Sequence, residues 1–83
     1  MAPGNEKITG KVLCRLRMAK GIAQKQVAER LKMTQQAYSK IEKNGAIKPF
    51  MLDSILIAMK SNREELKMIQ QLMESSINRD SRN

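Results

Sequence analysis

The sequence predicts an all-α fold, a compact bundle of about five short helices. Three observations carry that expectation. Apolar residues recur at three- and four-residue spacing along most of the chain, and no run alternates apolar and polar residues for the length of a strand. Helix punctuation recurs at short intervals, with Gly21 and Asn44-Gly45 as stops and Pro49 as a start. The chain has 83 residues. A domain of that size buries only roughly 60–65% of its unfolded surface, which leaves little room for a deep cofactor cavity.

The first helix is expected over about Ile8 to Lys20, with Ile8, Val12, Leu13 and Leu16 turned inward and Gly21 as its C-terminal stop. A second, shorter helix runs from about Gln24 to Lys32 and carries Val27, Ala28 and Leu31. Thr34 is placed to N-cap a third helix, Gln35 to Lys43, which Asn44-Gly45 ends. Pro49 suits the first turn of a fourth helix bearing Leu52, Ile55, Leu56 and Met59. The fifth opens at Asn62 with Glu65 three residues on, a capping-box-like pair, and Glu64 and Glu65 suit the positive helix end. It is expected to run to about Ser75. Residues 8–77 then form the domain, with residues 1–7 and 78–83 as polar tails.

Composition excludes several chemistries. There is no histidine, and Cys14 is the single cysteine, so Ser-His-Asp triads, Cys-His pairs and His/Cys metal sites are absent. No catalytic residue, metal or cofactor is expected, and no internal disulfide can form. The longest apolar run, Ile55 to Met59, is far too short to span a bilayer. The opening residues lack the basic-then-apolar pattern of a signal peptide. The expectation is a cytoplasmic, non-enzymatic binding module without membrane association.

Charge narrows the choice of partner. Sixteen Lys and Arg against eight Asp and Glu give +8. From Lys7 to Lys48 eleven basic residues face two acidic ones, whereas from Pro49 to Asn83 the count is five and five. A basic half joined to a neutral half suggests one face for a polyanion and another for something else. Modules that bind single strands stack bases on two or three exposed aromatics. Here only Tyr38 and Phe50 exist, and the apolar period expects both to be buried, so duplex DNA is favoured.

Two short helices joined by a tight turn in a basic half are the outline of a DNA-binding helix-turn-helix. The stretches Gly10-Lys11-Val12-Leu13-Cys14-Arg15-Leu16-Arg17, Lys20-Gly21-Ile22-Ala23-Gln24 and Val27-Ala28-Glu29-Arg30-Leu31 resemble the phage-repressor and Cro-like family, the Xre-type or lambda-repressor-like helix-turn-helix proteins. Met33-Thr34-Gln35-Gln36-Ala37-Tyr38-Ser39-Lys40-Ile41-Glu42 is similar to that family's turn and recognition helix, and Leu52, Ile55, Ala58, Met59 and Glu65-Leu66 fall at its later core spacing. The resemblance covers about Gly10 to Leu66. It implies a sequence-specific, double-stranded DNA-binding transcription regulator that acts as a homodimer, with a lambda-repressor-like fold. Two departures bear on the helices. Ala23 stands where the family has a capping Ser, Thr or Asn, an omission costing about 1 kcal/mol. Lys32 stands where the family often has glycine, so a left-handed backbone there carries a similar cost. The loop Lys43 to Pro49 is one residue longer than the commonest version.

At about 100° per residue, Tyr38 and Ile41 share one side of the third helix, while Gln36, Ser39, Lys40 and Lys43 point the opposite way. Gln35 lies between them in the first turn, the end that reaches base edges. Glutamine pairs bidentately with adenine, and lysine donates to guanine, so Gln35, Gln36, Ser39 and Lys40 are the candidate base contacts. Thr34 at the helix start and Lys43, Asn44 and Lys48 in the following loop are candidate phosphate contacts. The resemblance adds Gln24, first in the second helix, as a phosphate contact that braces the recognition helix. Lys25 and Arg30 read as solvated face. Glu42 falls about 40° from Tyr38 and turns partly inward, where a carboxylate needs a partner. By resemblance that partner is Arg17; the other reading has Glu42 repel phosphate and tune affinity. Cys14 reads as a small, partly buried hydrophobe, or as a redox sensor if Arg15 and Arg17 activate it.

The fifth helix carries more apolar surface than a small core needs: Leu66, Ile69 and Met73 at helical spacing, with Met68, Leu72 and Ile77 beside them. Ile57 occupies a position that is usually polar in the family. Ile57, Met68, Leu72, Met73 and Ile77 are therefore the expected dimer interface. Two other roles fit the same fold. One is an antitoxin or restriction-system controller whose fifth helix binds a toxin or its own copy. The other is a protein-interaction adaptor that never touches DNA.

Overall fold

In a computed structural model, described here for residues 8–82 and for side chains through Glu74, five helices follow one another. They are α1 (Gly10–Ala19), α2 (Gln24–Arg30), α3 (Gln35–Glu42), α4 (Pro49–Ala58) and α5 (Arg63–Arg82). The described residues include no strand, so the fold is all-α, as the periodicity predicts. α2 and α3 pack on each other, α1 contacts α3 and α5, and α4 leans on α2. Leu13, Val27, Tyr38, Ile55 and Met59 fill the centre. Burying each such aliphatic side chain contributes roughly 1.5–3 kcal/mol.

The start of α1 differs from expectation. Ile8 stays outside the helix, and Thr9 is the N-cap, its hydroxyl accepting the Val12 N–H at 3.4 Å. The Ile8 carbonyl accepts from the Ile47 N–H, and the Gly10 N–H donates to the Asn44 carbonyl, both at 2.9 Å. These two bonds tie the chain entering α1 to the loop leaving α3. Gly10 permits the approach, because a Cβ there would overlap the backbone carbonyls of Ile41 and Glu42.

Three helices end alike. The C″ N–H returns to the carbonyl three residues inside the helix, Ile22 to Arg17 at 3.1 Å, Met33 to Ala28 at 3.0 Å and Ser61 to Leu56 at 2.8 Å. The turning residue is left-handed in each case: Gly21 (φ 69°), Lys32 (φ 60°) and Lys60 (φ 55°). Lys32 therefore adopts the costly backbone that its sequence position foretold, and Lys60 adopts it without any sequence warning.

Two expectations are corrected. α5 does not stop near Ser75 but continues to Arg82, through the polar stretch expected as a tail. No glycine or proline interrupts residues 75–82, and a nucleated helix propagates at little cost per residue. Phe50 is not buried but 69% exposed. Leu52, Ile55, Leu56 and Met59 occupy the inward face of α4, and Phe50 stands about 200° from Leu52, on the outer side.

Candidate nucleic-acid interface

Helix α3 is built from its cap outward. The Thr34 hydroxyl accepts the Ala37 N–H at 3.1 Å and satisfies one of the helix's free donors. Tyr38, Ile41 and Glu42 are its buried side chains. Gln35, Gln36 and Lys40 are exposed along the other side, with Ser39 half-buried between them. Thr34, Lys43, Asn44 and Lys48 are also exposed. Asn44 uses its backbone carbonyl to hold Gly10, and Lys48 is the N-cap residue of α4 without a side-chain cap bond. Apart from half-buried Ser39, these residues make up an exposed edge along α3, its cap and the loop that follows it.

Behind that edge lies a polar clamp. Glu42 is only 8% exposed. Arg17 Nε donates to its Oε2 at 2.7 Å, Arg17 Nη2 to Oε1 at 3.3 Å, and Gln24 Nε2 to Oε1 at 2.9 Å. Arg17 Nη1 also donates to the Ile22 carbonyl at 2.8 Å. The structure therefore brings Arg17, Gln24 and Glu42 together from α1, α2 and α3. Burial alone would raise the Glu42 pKa, but hydrogen bonds from Arg17 and Gln24 and the guanidinium charge hold it below the ordinary carboxylate value. The Glu42 hydrogen bond in turn raises Arg17. Gln24 commits one amide N–H to this clamp and retains a second donor and its carbonyl. The Tyr38 hydroxyl is buried facing the Glu42 carboxylate, outside ordinary hydrogen-bond geometry and with no other partner among the described residues. Burial, and then the adjacent Glu42, push the phenol pKa well up. Cys14 is half-buried, its Sγ 3.6 Å from Arg17 Nη2 and 3.8 Å from Met18 Sδ.

Other residues support the site in ways that sequence spacing does not reveal. Arg30, read as solvated face, donates from Nη1 to the Ala58 carbonyl at 2.7 Å and so caps the end of α4 against α2. Gly10 carries no local signal for its contact with α3. Ala23 makes no side-chain cap, but Gln26 Oε1 accepts the Ala23 N–H at 2.9 Å. At α5, Asn62 Oδ1 accepts the Glu65 N–H at 2.9 Å. The Glu65 carboxylate does not return to Asn62; it accepts from Ser61 Oγ at 2.6 Å and Lys20 Nζ at 3.1 Å. The Ser61 bond first, and Lys20 second, hold Glu65 below its usual pKa.

The residues expected at a dimer contact separate. Met68 and Leu72 are 61% and 64% exposed on α5. Met73, expected at the dimer contact, is half-buried and packs, like Ile69, against the core of its own chain. Ile57 is 75% exposed but stands with α2 residues in a groove that no α5 residue lines. The Ile77 side chain lies outside the described residues. Among the described residues no group of His, Cys, Asp and Glu is placed to hold a metal ion, and no helix is long and apolar enough to cross a membrane.

A family model described as helix-turn-helix matches residues 15–66, from the interior of α1 to the first turn of α5. No curated protein and no solved structure gives a significant match. The match spans most of the chain and contains α2, the turn at Lys32 and α3. The chain therefore belongs to the Xre and lambda-repressor-like helix-turn-helix family of DNA-binding transcription regulators.

Proposed function

We propose that this chain is a sequence-specific regulator that lays α3 in the major groove of duplex DNA and binds paired half-sites as a homodimer. The observation that carries the reading is the division of α3. Its inner face is locked by the Glu42 clamp, and its outer face presents Gln35, Gln36 and Lys40 to solvent. Gln35, Gln36, Ser39 and Lys40 meet base edges in this reading. Gln24, Thr34, Lys43, Asn44 and Lys48 position the protein on phosphates. Met68 and Leu72 supply the apolar contact between two copies, and two linked half-sites give operator affinity beyond that of one.

The test separates specifying from positioning contacts. Gln36→Ala costs about 1–3 kcal/mol on the preferred operator and relaxes preference there, while random duplex and the salt slope stay nearly unchanged. Lys48→Ala weakens operator and random duplex alike and lowers the salt slope by roughly 1 per half-site. Both variants are measured on both DNAs across a salt series. Equal loss on both DNAs for Gln36→Ala removes that residue from sequence reading.

A further inference from the structure

The outward stripe of α4 carries two large exposed apolar side chains, Phe50 and Ile57. Phe50, Ser54 and Ile57 share it at i, i+4 and i+7. Beside its C-terminal half runs an open groove of about 500 Å³, lined by Arg30, Leu31, Lys32, Ser54, Ile57 and Ala58. These residues come from α2, its turn and α4, so the groove is distinct from the Met68 and Leu72 stripe of α5.

Its electrostatics are one-sided. The lining contains two cations and no carboxylate. The bond from Arg30 to the Ala58 carbonyl fixes the guanidinium at the rim without neutralising it. The ion pairs among the described residues are Arg17–Glu42, Lys20–Glu65 and Arg63–Asp53, so neither Arg30 nor Lys32 has a carboxylate partner there. Asp53, on α4, is turned to Arg63 at 2.6 Å. Lys32 brings its charge to this rim from a left-handed backbone that glycine would adopt at lower cost.

We propose that the groove between α2 and α4 is a docking site for an acidic amphipathic segment of a partner protein. Its apolar side chains cover Ile57 and Leu31, and its carboxylates meet Arg30 and Lys32. An exposed isoleucine and a leucine offer nothing to a phosphate backbone, which argues against DNA as occupant. A second copy is assigned instead to the Met68 and Leu72 stripe of α5 in the proposed dimer, which this groove does not include.

Fluorescence anisotropy with the full chain tests this. The probe is a labelled helical peptide with leucines on one face and glutamates beside them. Its control has the same glutamates and serines in place of the leucines. The leucine peptide should bind at least about tenfold more tightly than the serine peptide, and Ile57→Ser should remove most of that difference. Lys32→Gln should weaken peptide binding about three- to tenfold, and Lys67→Gln, an equal charge change on the exposed side of α5, by less than about twofold. Lys32→Gly provides a second reading: it should raise Tm by relieving the backbone while still weakening the peptide. Equal binding of the two peptides, or equal losses from Lys32→Gln and Lys67→Gln, would reduce the effect to non-specific charge and overturn the proposal. A monomer produced by Ile57→Ser, with peptide binding unchanged, would assign the groove to a second copy. Loss of random-duplex binding in Ile57→Ser would assign it to DNA. The DNA reading itself is tested separately by Gln36 and Lys48.

Discussion

Glu42 shows how much one residue can hold. A carboxylate removed from water costs several kcal/mol unless it is paired and hydrogen-bonded, and here α1 and α2 both answer a charge borne by α3. Glu42→Ala should therefore destabilise the domain by about 2–4 kcal/mol, read from urea unfolding. A variant that melts within a degree or two of the wild type would show that the pair adds nothing. The pH dependence has a definite sign. Because Glu42 is held below its ordinary value, its contribution is fully present above the unfolded carboxylate range near ~4.3 and is lost as pH falls through the lower folded value. The stability gap between wild type and Glu42→Gln should narrow in acid; a gap constant from pH 7 to pH 3 would contradict the clamp. Gly10→Ala acts by contact alone, forcing a methyl into the Ile41 and Glu42 carbonyls. It should cost about 2–4 kcal/mol, and a variant as stable as wild type would show that α1 can back away from α3. The inward turn of Glu42 was legible from its angle on the helix, although its partner came from family likeness rather than spacing. Gly10 was illegible, because two backbones that meet from distant parts of the chain leave no local pattern.

Elements were legible where they carry their own punctuation. Gly21, Thr34, Asn44-Gly45, Pro49 and Asn62 each mark a helix boundary through a residue whose conformational preference acts locally. The misses have one cause in common, that nothing local distinguished the outcome. Thr9 competes with Ile8 as the first residue, α5 lacks a stop signal, and Phe50 is an apolar residue whose outward position shows only when the face of α4 is counted from Leu52. Capping supplies the prediction at this scale. Ala23 leaves α2 without a side-chain acceptor, and its extended backbone suits one (φ −79°, ψ 152°). Ala23→Ser should stabilise the domain by about 0.5–1.5 kcal/mol in thermal or urea unfolding. No gain would mean that the Gln26 bond to Ala23 already secures the helix start.

At the scale of the molecule, charge and apolar exposure separate. The basic half holds α1 to α3 and the loop to Lys48, and the neutral half holds α4 and α5. The sequence revealed surplus apolar surface but not its division, because helical spacing does not say which side chains the core will claim. Met73 went inward, Ile57 joined α2, and Met68 and Leu72 stayed outside. If the α5 stripe joins two copies, Leu72→Glu should give a folded monomer by sedimentation and a steep loss of operator affinity. A wild type that sediments as a monomer at micromolar concentration, with and without operator DNA, would end the dimer proposal.

The anchoring of α3 has a thermodynamic consequence. Its first turn is capped by Thr34, its last side chain is held from two helices, and the carbonyl just beyond it is gripped by Gly10. The ordering entropy of this helix is thus spent during folding rather than at the encounter with DNA. Calorimetry across temperature should then give a heat-capacity change that matches the apolar surface covered on association. A segment that folded as it bound would add the surface of its own folding and drive that change well beyond the match.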